Sequence, residues 1–173
     1  MLAAYALPAT AVWAALGIAV TSARLPGVAL AATVAYGGLY AASEIAGRRR
    51  LPPPGRSWQV PQSMLIGASV RRRVVVWGAL LGPGFATRNP YAGFWLLPLA
   101  VAAMPGLRAG LAVGAGIGLA HGAARAAALL RDVKDQNQPA THIDALMKAI
   151  YWRRLDAVLL AAGAAAAAAA LAA

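Results

Sequence analysis

Few side chains in this sequence could do chemistry inside a membrane, and the best of them fall in one short run. Arg88 and Asn89, followed by Tyr91, lie within Val74–Met104, a long apolar stretch whose single charge is Arg88. A guanidinium at mid-membrane is costly unless it meets water, a counter-charge or carbonyls, so its position alone makes it a candidate ligand-binding group. Pro83-Gly84 and Asn89-Pro90 should break the helix there and free backbone amides and carbonyls beside the charge. Transporters bind ions and anionic substrates at such breaks. On the plainer reading Arg88 lies nearer the surface, and Asn89 and Tyr91 merely satisfy the broken backbone. Glu44 is a candidate counter-ion for Arg88, although four residues before Arg48 it also reads as an i,i+4 pair at a helix end. His121 either titrates in a proton path or packs as a hydrogen-bonded core histidine.

Other chemistries find no residues to carry them. Cysteine is absent, which removes disulfides, thiolate metal sites and thiol chemistry within this chain. His121, His142 and the four aspartates have no metal-ligand spacing. No serine stands in a Ser/His/Asp arrangement, no paired carboxylates fall in an apolar stretch, and no glycine loop follows a strand in the dinucleotide pattern. Neither a metal nor a cofactor is expected, and the protein reads as a non-enzyme.

The elements that must position Arg88 are membrane spans. The chain has 173 residues, 61% hydrophobic and 12% charged, with a mean hydropathy of +0.62. That is too apolar for a soluble domain of this length. Five spans are expected, at about 2–23, 25–47, 74–104, 109–130 and 155–173. The first lacks a basic n-region and reads as a retained span; Pro8 should kink it. At about 1.5 Å per residue a straight helix over 74–104 would be about 46 Å long, well beyond the hydrocarbon, so this span is broken or re-entrant, or else a hairpin. Charge separates these readings. One crossing puts seven basic residues of 48–73 and six of 125–154 on one side against Arg24 and Arg108, whereas two crossings divide the charges evenly. The positive-inside rule favours one crossing, with the N-terminus cytoplasmic and the C-terminus external.

Between these spans, Pro52-Pro53-Pro54 should be extended, Trp58 is placed as an interfacial anchor, and Thr141 should cap an interfacial helix that leads into the last span. The net charge of +11 follows from topology and suits anionic lipid headgroups at the cytoplasmic loops; no nucleic-acid partner is expected. Gly106, Gly110, Gly114, Gly118 and Gly122 recur every four residues and should give one helix a bare ridge for close packing. The tail beyond residue 161 is nearly all alanine and needs packing partners.

The run Gly84-Phe85-Ala86-Thr87-Arg88-Asn89-Pro90, with Leu96–Ala103 after it, resembles the broken helix of the transmembrane thiol–disulfide carriers of cytochrome c biogenesis. The resemblance covers about residues 75–130 and implies a shared scaffold. It departs from that family at the decisive point, the missing cysteine, so thiol exchange carries over to no residue. The expected protein is an all-α polytopic bundle in a bacterial cytoplasmic membrane that binds or conducts a small polar or anionic solute around Arg88. The alternative is a non-catalytic accessory subunit or assembly factor packing through its glycine ridge. On either reading the chain is expected to form a homo-oligomer or to join other membrane subunits.

Overall fold

The computed structural model describes residues 1–47, 51–54, 66–86, 91–135 and 142–173; for 132–135 and 142–149 only the backbone is described. Arg88, Asn89, Trp58, Thr141 and the triplet Arg48–Arg50 lie outside the described residues. Within them the chain is helical, with no strand. The elements are α1 (Leu2–Ser22), α2 (Pro26–Ala46), α3 (Val70–Leu81), a 3₁₀ turn (Ala92–Trp95) running into α4 (Leu96–Ala102), α5 (Gly106–Asp135) and α6 (His142–Ala172). Four helices are long and apolar enough to cross a membrane: α1, α2, Gly106–Arg131 of α5 and Ile150–Ala172 of α6. The protein is a multi-pass helical membrane bundle.

Two antiparallel pairs build the body, each with a four-residue repeat at its contact. In α1 the buried positions include Tyr5, Ala9, Trp13, Gly17 and Thr21. Against them α5 sets its glycines. A Cβ at Gly110 would meet Thr21 and the Gly17 carbonyl, one at Gly114 the Trp13 carbonyl, one at Gly118 the Ala9 carbonyl, and one at Gly122 the Tyr5 carbonyl. Residues four apart form one slightly inclined ridge on a helix, so each ridge fits the other's groove and the two backbones touch. Gly106 is different. It has φ +82 with nothing within 4 Å of a Cβ, and it serves the turn that opens α5 instead of the contact.

The second pair joins α2 to α6. Ala29, Thr33, Gly37 and Ala41 are the buried stripe of α2, and Gly37 lies against the Leu160 carbonyl and Ala164. In lipid a hydroxyl needs an internal acceptor. Thr21 therefore donates to the Gly17 carbonyl at 2.6 Å and Thr33 to the Ala29 carbonyl at 2.8 Å.

The third segment passes between these pairs in two short helices. Gly78 of α3 rests on the Ala4 carbonyl near the start of α1. That carbonyl has no helical donor because residue 8, where the donor would be, is proline. Gly110, past the turn at 103–105, sits beside Thr21 near the other end of α1. Gly78 and Gly110 thus stand toward opposite ends of α1.

Two boundaries differ from the sequence reading. The helix expected to open at Thr141 and the last span are one continuous helix, since no proline or glycine interrupts residues 142–162. The third segment becomes helical at Val70, four residues before the expected span, so that Arg71–Arg73 of the expected loop lie in the first turn of α3.

Candidate functional site

The break in the third segment faces different chemistry on its two sides. On the α2–α6 side stands Asp156, only 8% exposed. At the usual rise per residue it lies about 9 Å past Ile150, where the apolar part of α6 starts. Its Oδ2 accepts from the Ala92 N–H at 3.0 Å and its Oδ1 from the Gly93 N–H at 3.0 Å. These amides open the 3₁₀ turn that leads into α4, where a helix has no internal acceptors. A carboxylate from another helix takes the place of a local cap and meets the positive end of the short helical run. Gly93 permits this approach, because a Cβ there would collide with the Asp156 carboxylate.

Around that contact Tyr36 donates to the Ala92 carbonyl at 2.9 Å, and its ring packs on Tyr40 with centroids 4.5 Å apart. Tyr40 donates to the Pro52 carbonyl at 3.1 Å, while Trp95 donates to the Pro54 carbonyl. The proline stretch thus lies across the α2 and Trp95 edge of the break and offers acceptors without needing donors. Glu44, half-buried on the last turn of α2, interacts electrostatically with Asp156.

The α1–α5 side is aromatic. Trp13, wholly buried, donates from Nε1 to the Pro83 carbonyl at 3.0 Å and fixes the point where α3 has ended. Its ring meets Phe85 at 4.9 Å and Phe94 at 5.8 Å, and Phe94 meets His121 at 5.3 Å. Gly84, with φ +86, closes the turn; a side chain there would be strained and would strike both Phe94 and the His121 Nε2. Arg125, one turn beyond His121 on α5, is half-buried and interacts electrostatically with both His121 and Tyr5. Among the described residues the Tyr5 hydroxyl and His121 Nε2 are buried with no hydrogen-bond partner, an arrangement rare enough to mark a site.

Of the residues singled out in the sequence, Glu44 and Tyr91 lie toward the carboxylate side, Tyr91 directly preceding the amides that Asp156 holds. His121 stands apart, behind Phe94 on α5. Reading His121 as a hydrogen-bonded packing residue is not met on its Nε2 among the described residues. Asp156, Tyr36, Trp13 and Tyr5 were not singled out. The rule that picked Arg88, an ionisable group inside an apolar span, applies equally to Asp156. Among the described residues no group of three or more His, Cys, Asp or Glu could hold a metal ion.

No protein-family model, curated protein or solved structure matches this chain.

Proposed function

We propose that this protein binds a small polar or anionic solute within a bacterial cytoplasmic membrane, at the break in its third segment around Arg88. The observation that carries the reading is the break itself, enclosed by α1, α2, α5 and α6 and bordered by a buried carboxylate on one side. On the other side are two buried polar atoms, Tyr5 Oη and His121 Nε2, that meet no partner among the described residues. Arg88 belongs by sequence to the stretch joining those two sides. In this reading its guanidinium binds the solute, while Asp156 and Glu44 balance the charge that would otherwise make it costly in lipid.

The helix pairing supports the orientation proposed from charge. Among the described residues it sets Arg71, Arg72, Arg73, Arg125, Arg131, Arg153 and Arg154 toward the end of the bundle that holds the start of α1, and Arg24 and Arg108 toward the other. That basic end is cytoplasmic in this reading. The accessory-subunit alternative loses its proposed docking face, because four of the five ridge glycines already pack on α1. It would have to use the exposed alanine face of α6 instead.

The test is the thermal unfolding midpoint of detergent-purified protein against a panel of amino acids, carboxylates and inorganic anions. At least one should raise the midpoint, and Arg88→Ala should abolish that rise while the unliganded midpoint stays near wild type. An equal rise in Arg88→Ala, or no response to any solute, would overturn the reading.

A further inference from the structure

Next to the break, with Tyr5 shared between them, the end of the bundle proposed as cytoplasmic carries a second feature. A cavity of about 400 Å³ opens between the start of α1 and α3, lined by Tyr5, Ile66, Val70, Val74 and Trp77 with Arg73 as its charged member. Its size falls within the range of pockets that hold small organic ligands, about 300–1,000 Å³. Its walls are apolar and its polar edge is basic.

That edge is electrostatically unbalanced. Arg71, Arg72 and Arg73 all fall in the first turn of α3, which contains no acidic residue. The N-terminus of a helix carries a partial positive charge, so three cations there repel both each other and the helix end. Ser69 caps one amide, accepting from the Arg72 N–H at 3.3 Å, and Arg73 Nε donates to the Ala68 carbonyl at 2.9 Å. Among the described residues no acidic side chain pairs with the three. Trp77 is 39% exposed. It stands on the same wall one turn deeper, where an interfacial indole is expected.

We infer that this groove seats one anionic phospholipid, its phosphate against Arg72 and Arg73 and the start of an acyl chain between α1 and α3. The apolar wall alone would suit any lipid. The triple arginine at a positive helix end selects for a negative headgroup, and that charge complementarity identifies the occupant.

Reconstitution into vesicles of phosphatidylcholine doped with brominated phosphatidylglycerol or brominated phosphatidylcholine tests this, reading the fluorescence that Trp77→Phe removes. Quenching of that component should be clearly stronger with the brominated anionic lipid. In Arg72→Gln/Arg73→Gln the preference should fall about fivefold for each arginine removed. Both side chains are exposed, so the variant should fold, and an unchanged thermal midpoint will confirm it. Native mass spectrometry of protein extracted in mild detergent should show one retained phosphatidylglycerol, lost in the same variant. Equal quenching by the two lipids would make the groove ordinary bilayer-facing surface and overturn the inference. Absence of quenching by either, as when another part of the chain covers the groove, would overturn it too, as would a retained inorganic phosphate in place of a lipid. Arg88→Ala should leave all these readouts unchanged, which separates this site from the solute site.

Discussion

Asp156 is the residue on which the shape of the break turns. Replacing it with alanine leaves the Ala92 and Gly93 amides without their acceptor, at about 1–3 kcal/mol for each buried group left unsatisfied. Asp156→Ala should therefore lower the thermal midpoint in detergent by several degrees. Asp156→Asn retains one oxygen acceptor and should lose less. Trp13 acts from the opposite side. Trp13→Phe keeps most of the ring contacts with Phe85 and Phe94 but leaves the Pro83 carbonyl unbonded. The expected loss is that of one buried acceptor left unsatisfied, about 1–3 kcal/mol by the same measurement. Arg88 stood out in the sequence because a lone charge is conspicuous in an apolar run. Asp156 follows Arg153 and Arg154 so closely that it reads as the edge of a polar loop. Only the continuity of α6 carries it inside.

At the level of elements, the α1–α5 contact depends on missing atoms. Gly114→Leu or Gly118→Leu would drive a side chain into the backbone of α1 and should prevent the pair from closing, seen as aggregation on size-exclusion chromatography. Gly116→Ala is the internal control. It lies on the same helix with nothing within 4 Å of its new Cβ and should leave stability and elution unchanged. The ridge of α5 was legible because glycine every four residues has few other uses in a membrane helix. Its partner was not. The matching series in α1 mixes Tyr5, Ala9, Trp13, Gly17 and Thr21, and nothing in their types marks a shared face. The break was readable in outline from Pro83, Gly84 and Pro90. The capture of its Ala92 amide by a carboxylate 64 residues later was not, because local sequence does not show which helix will lie alongside.

For the whole molecule, the pairing fixes which loops share a side. The chain has no native cysteine, so single thiols report cleanly. Arg24→Cys and Arg108→Cys should react with an impermeant maleimide from one face of oriented vesicles, and Ser69→Cys and Arg131→Cys from the other. Labelling of Arg24→Cys and Arg131→Cys from the same face would contradict the single broken crossing.

The partnership of α1 with α5 also bears on how the chain is made. Because α1 precedes α5 in the chain, it meets its close-packing mate only after α2, α3 and α4 have been synthesised. Until then the groove formed by Ala9, Trp13 and Gly17 has no glycine ridge to fill it, and at first the Trp13 indole has no Pro83 carbonyl to bond. Nascent chains arrested before residue 106 should therefore expose that groove to lipid or to the insertion machinery. Crosslinks from position 13 to the translocon should vanish once α5 has entered the bilayer.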